Sequence, residues 1–158
     1  MPEPQFVYWD ADVFLSYLNA YPDRIQTLEA ILDNVSKEKQ HLIVTSTITK
    51  VEVAWVAHEK LNRVLDDDEE ARIDNLWNDP SVIEFVDFHE HIATIARSIM
   101  RTGMMKGWKL RANDAIHLAS AQSVPCYEIN TYDDKLKKYE ELIGITIKEP
   151  SVIQPTLL

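Results

Sequence analysis

Apolar residues fall along this chain in two rhythms that alternate from end to end. Short runs rich in β-branched and aromatic residues occur at Phe6-Val7-Tyr8-Trp9, His41-Leu42-Ile43-Val44, Val82-Ile83-Glu84-Phe85-Val86, Cys126 to Thr131 and Ile145-Thr146-Ile147. They predict strands, and the continuously apolar ones predict strands covered on both faces. Between them apolar positions recur at helical spacing: Val13, Phe14, Tyr17, Leu18; Ile25, Leu28, Ile31, Leu32, Val35; Ile48, Val51, Trp55, Val56; Ile92, Ile95, Ala96, Ile99; and Ala115, Leu118, Ala119. Pro22-Asp23 separates the first two helices, and Ser46 or Thr47 is placed to cap the third, which runs through Val56. The fourth is expected to end near Thr102-Gly103. A short helix with Leu136 and Tyr139 precedes the last strand. This alternation predicts an α/β domain with a mostly parallel sheet and helices on both faces.

With 158 residues, the chain fits one domain over residues 1–150, followed by an irregular tail over 151–158 that contains Pro155. Apolar residues make up 46% and charged residues 27%, the balance of a soluble globule, and no stretch is long and apolar enough to span a bilayer. The start, Met-Pro-Glu-Pro-Gln, lacks a basic leader, so a cytoplasmic location is expected. A single cysteine, Cys126, excludes an internal disulfide framework and cysteine-rich zinc sites, and is read as a core thiol. The acidic block from Asp66 to Glu70 is read as a solvated loop or helix start, because it lacks the glycine and ligand register of a calcium loop. The net charge of −10 argues against coating nucleic acid by bulk electrostatics, but leaves a nucleic-acid enzyme open, because local charge governs a cleft.

Chemistry concentrates on carboxylates. Asp10 and Asp133 each follow a predicted strand, while Glu52 and Asp114 sit in the first turns of helices that start from the same sheet edge. Functional groups in open parallel sheets gather at that edge. Asp114 and Asp133 could each simply favour a helix start. All four converging would repel one another unless a cation neutralised them. Oxygen-only ligation suits Mg2+ or Mn2+, which can activate water and stabilise a leaving oxyanion in phosphodiester hydrolysis.

At these residues the chain resembles the PIN-domain family, which includes the VapC-like toxin ribonucleases. The matching segments are Phe6 to Leu15, Thr45 to Val53, Asn113 to Ala121 and Ile129 to Asp133, in an order and spacing that cover nearly the whole chain. The resemblance implies a three-layer α/β/α sandwich and a Mg2+- or Mn2+-dependent endoribonuclease acting on single-stranded or structured RNA. It maps an acidic quartet onto Asp10, Glu52, Asp114 and Asp133, and a supporting hydroxyl onto Thr131. It also implies a homodimer and, for a toxin, a cognate antitoxin protein. One departure is Asp12, where the family usually has a small hydroxyl or amide residue. That carboxylate could be a fifth ligand, bond to metal-bound water, or cap the following helix, and capping is the favoured reading.

The segment from Ile92 to Asn113 lacks acidic residues and carries Arg97, Arg101, Lys106, Lys109, Arg111 and Trp108. It could guide an RNA backbone and stack a base, or be a solvated helix end and loop. His117 shares the Asp114 helix face. It is read as a satisfied, partly buried histidine, with support of the acidic site as the alternative. His89 and His91 are placed at a helix start. Two rivals remain: a haloacid-dehalogenase-type phosphatase using Asp10 and Asp12, and a non-catalytic RNA- or partner-binding module. The phosphatase lacks its usual flap glycine and leaves the Asp114 segment unexplained.

Overall fold

A computed structural model describes residues 5–38 and 41–152. Five strands form one sheet: β1 (Gln5–Trp9), β2 (His41–Ser46), β3 (Ile83–Val86), β4 (Cys126–Asn130) and β5 (Thr146–Lys148). Their order across the sheet is β3-β2-β1-β4-β5, and every neighbouring pair is parallel. The α/β expectation therefore holds.

Successive strand residues point to opposite faces, and the cores sort accordingly. Val7, Trp9, Ile43 and Ile83 face α1 (Ala11–Leu18), α2 (Ile25–Glu38) and α5 (Asp67–Trp77), with Phe14, Leu28, Ile31 and Trp77 among the residues packed there. Tyr8, Val44, Ile129 and Ile147 face α6 (Glu90–Met105) and α7 (Ala112–Gln122), meeting Ile92, Ile99 and Leu118. Both sheet faces are thus covered, as buried parallel strands require. After β3 the chain crosses back through α6 and α7 and resumes at β4, on the far side of β1. The C-terminal ends of β1 and β4 therefore flank the switch point of the sheet, where such folds open a crevice.

Two helix ends differ from expectation. The helix predicted through Val56 stops at Glu52 (α3, Ile48–Glu52), and α4 (Ala57–Asn62) starts afresh. Buried Glu59 fixes the break: its two oxygens accept from the backbone N–H groups of Val56 (3.0 Å) and Asp66 (2.8 Å). Of the two expected caps for α3, Ser46 takes the role. Ser46 accepts from the Ile48 N–H, whereas Thr47 accepts from Phe88 on the β3–α6 loop. Finally, α6 runs past Gly103 to Met105, because Gly103 is buried where Tyr139 packs against the helix. The acidic block opens α5, with Asp66 accepting from the N–H groups of Asp68 and Glu69. A 3-10 turn over Asp134–Tyr139 and α8 (Glu140–Ile143) lead into β5. The expected irregular tail lies, beyond residue 152, outside the described residues.

Candidate active site

β1 ends with Trp9 fully buried, and its indole N–H donates to Asn130 on β4 at 3.0 Å. This contact ties the two strand ends together and carries Asp10 to the crevice. Asp10 caps α1, accepting from the Asp12 N–H at 3.2 Å, and is only 6% exposed. Burial raises its carboxyl well above the usual range, and the neighbouring Asp12 carboxyl raises it further.

Asp12 does not cap the helix, which corrects the favoured sequence reading. Its carboxylate turns to the β4 exit, accepting from the Thr131 hydroxyl at 3.1 Å and the Tyr132 N–H at 3.2 Å. Thr131 in turn accepts from the Asp133 N–H at 3.1 Å, and Asp133 accepts from the Lys135 N–H at 3.0 Å. The Asp12 and Thr131 side chains thus brace the loop that carries Asp133. A phosphatase would need Asp12 free to shuttle protons; here both its oxygens are engaged.

The other two acids approach from helices. Asp114, in the first turn of α7, is half-buried. Burial raises its carboxyl, Arg111 at 3.3 Å works against that rise, and Asp133 adds to it. Glu52, the last residue of α3, accepts from the Asn113 amide at 2.9 Å and from His117 Nε2 at 2.5 Å. Burial raises its carboxyl, but the hydrogen bonds from His117 and Asn113 and the nearby positive charge together outweigh it, and the net shift is downward. The structure therefore places Asp10 beside Asp12, Asp114 in the field of Asp133, and Glu52 on the side chains of α7. Among the described residues, no three His, Cys, Asp or Glu side chains stand together closely enough to hold a metal ion as placed.

The donor chemistry still fits a hard divalent cation. The groups offer oxygen alone, Asp10 and Asp114 are held upward by burial and neighbouring negative charge, and the Arg111 pair is the cationic contact to Asp114. The contact of His117 with Glu52 matches what the sequence offered as the alternative for that histidine, whereas the Asn113 contact to Glu52 was not anticipated.

The basic segment is less free than its sequence suggests. Lys106 pairs with Glu141 at 3.1 Å, and Arg111 pairs with Asp114. Trp108 is half-buried with its ring edge-on to Tyr139, and Lys106 and Lys138 lie over it. Arg97, Arg101 and Lys109 are exposed and make no ion pair among the described residues. His89 caps α6 as expected, accepting from the His91 N–H. Cys126 is half-buried rather than a core thiol; its Sγ donates to the Ala121 carbonyl, and burial pushes its pKa up to about 11.

The family model for the PIN domain matches residues 7–142, a span that holds all four acids. The chain belongs to the PIN domain family. Solved structures that share this PIN fold include VapBC2 from Rickettsia felis bound to a DNA fragment from its promoter, at 14% identity and a TM-score of 0.68, covering 92% of this chain and 98% of that one. VapBC-1 from nontypeable Haemophilus influenzae matches at 15% identity and a TM-score of 0.63, covering 92% and 98%. FitAB bound to an IR36 DNA fragment matches at 19% identity and 0.61, covering 96% and 99%. No curated protein matches the sequence. Among the described residues, no helix of this PIN domain is long and apolar enough to cross a membrane.

Proposed function

We propose that this PIN domain is a Mg2+- or Mn2+-dependent endoribonuclease and the toxin of a toxin–antitoxin pair. The observation that carries the reading is the PIN family match over residues 7–142, supported by Asp10 at the end of central strand β1 and by Asp114 in the field of Asp133. Asp10, Glu52, Asp114 and Asp133 would hold the cation. When bound, it lowers the pKa of an attacking water and stabilises the leaving oxyanion of the phosphodiester.

The chain's own residues supply position. Asp12 and Thr131 hold the Asp133 loop against α1. Arg97, Arg101 and Lys109, with Lys106, Trp108 and Arg111, form the approach for a single-stranded RNA backbone. A toxin–antitoxin complex from Klebsiella pneumoniae among the structural neighbours supports an antitoxin protein as partner, and a homodimer and a cytoplasmic setting belong to the same proposal.

The test is cleavage of a mixed RNA pool with Mg2+ or Mn2+, with product ends mapped. Cleavage that is abolished by chelation and by Asp10→Asn supports the nuclease. RNA binding without cleavage, or equal cleavage by Asp10→Asn, would overturn it in favour of a non-catalytic module.

A further inference from the structure

His117 is 2% exposed and Tyr8 is fully buried, an unfavourable location for two polar rings unless every polar atom is used. Here they are used in series. The Ser46 N–H donates to the Tyr8 hydroxyl at 3.1 Å, and that hydroxyl lies 2.7 Å from His117 Nδ1. His117 Nε2 lies 2.5 Å from Glu52 Oε1. A phenol has one proton. With the Ser46 N–H already pointing at the oxygen, that proton is free for Nδ1. The Glu52 carboxylate can only accept, so a ring proton sits on Nε2, and in the neutral ring Nδ1 accepts from the phenol. The rings meet edge to face, with centroids 5.8 Å apart, so packing holds the same orientation.

We propose that Tyr8 and His117 are positioning residues. Anchored on the Ser46 amide, they lock the proton of His117 on Nε2 and so fix Glu52 toward the cation site. This rests on the metal-dependent reading above. The chain of bonds begins on β1 and the end of β2, passes through α7 and ends on α3, so one line of hydrogen bonds ties the Glu52 carboxylate to the centre of the sheet. Asn113 holds the other carboxylate oxygen, so His117 sets the angle about that pivot. Partners of this kind typically change metal affinity by about 10- to 100-fold.

Three variants separate positioning from mere packing: Tyr8→Phe, His117→Asn and His117→Gln. An asparagine amide can reproduce the Nδ1 contact to Tyr8, whereas a glutamine amide reaches toward the Nε2 position and Glu52. Imidazole 15N NMR of the metal-free protein should show the Nε2–H form. Calorimetric titration with Mn2+ should show affinity reduced about tenfold or more in Tyr8→Phe and His117→Asn, and largely kept in His117→Gln. Thermal melting controls for folding. If one variant is too unstable to titrate, the other two and the wild-type NMR spectrum still decide. An Nδ1–H ring in the wild type, or Mn2+ affinity that follows melting temperature rather than the Asn/Gln difference, overturns the inference. A wild type that takes up no Mn2+ overturns the metal reading itself, and the inference with it.

Discussion

Asp10 and Asp114 share a condition with a measurable signature: burial and a neighbouring carboxylate hold both above their ordinary range. In the metal-free chain the folded state therefore keeps protons that the unfolded state releases. Between the ordinary Asp value, near about 4, and the raised folded values, stability should increase as pH falls and be lost as pH rises. Glu52 has the opposite sign, and its contribution is lost as pH falls through its lowered value. Metal-free melting curves should thus rise from neutral pH toward mild acid, then fall in strong acid; saturating Mn2+ should flatten the rise. A monotonic fall from neutral pH would contradict this. Asp10→Asn should melt higher than the metal-free wild type at neutral pH while its RNA cleavage drops by about a hundredfold or more, the upper range for disturbing a metal shell. Asp114→Asn should lose cleavage similarly, with a smaller gain in melting temperature, since Arg111 already offsets part of its charge.

Between elements, the joint of α1 with the β4 exit rests on Thr131, which is 4% exposed and donates to Asp12 while accepting from the Asp133 N–H. Thr131→Val should cost about 1–3 kcal/mol in chemical denaturation, because a charged acceptor and a backbone donor are both left without a partner. Thr131→Ser should cost less than half of that. On α6, a Cβ on Gly103 would meet the Tyr139 ring and hydroxyl at 3.2 Å. Tyr139 is 1% exposed and backed by Trp108, so it cannot withdraw. Gly103→Ala should therefore forfeit the gain of about 1 kcal/mol that alanine brings to a helix, and the denaturation midpoint should not rise. These two contacts also mark what the sequence could and could not express. A buried parallel strand ending on an aspartate is a local signal, so β1 with Asp10 and β4 with Asp133 were legible. Gly103 looked like a stop because its reason for being glycine lies 36 residues away on Tyr139. The core side of α5 was hidden because four acids in its first turn outweigh its two buried residues, Ile73 and Trp77. His117 was legible as buried, but its bonds to Glu52 and Tyr8 span 65 and 109 residues.

For the whole molecule, the ribonuclease reading requires that a net charge of −10 coexist with an approach for RNA. Arg97, Arg101 and Lys109 are the exposed cations of that segment without an ion pair among the described residues. Replacing all three with glutamate should weaken single-stranded RNA binding and reduce the steepness of its salt dependence by roughly 0.7 for each phosphate no longer neutralised. Mn2+ affinity should not change, because none of the three touches the acids. Unaltered RNA affinity and salt slope would place the substrate elsewhere.

The order of the strands also dictates when such a protein can first act. β1 lies at the centre of the sheet, yet the loop that completes its crevice is held by a contact spanning 120 residues, from Tyr132 to Asp12. During synthesis the first three strands and their helices can assemble while the cutting edge still lacks Asp114 and Asp133. On the nuclease reading, competence therefore waits until α7 and the β4 exit have been made and docked.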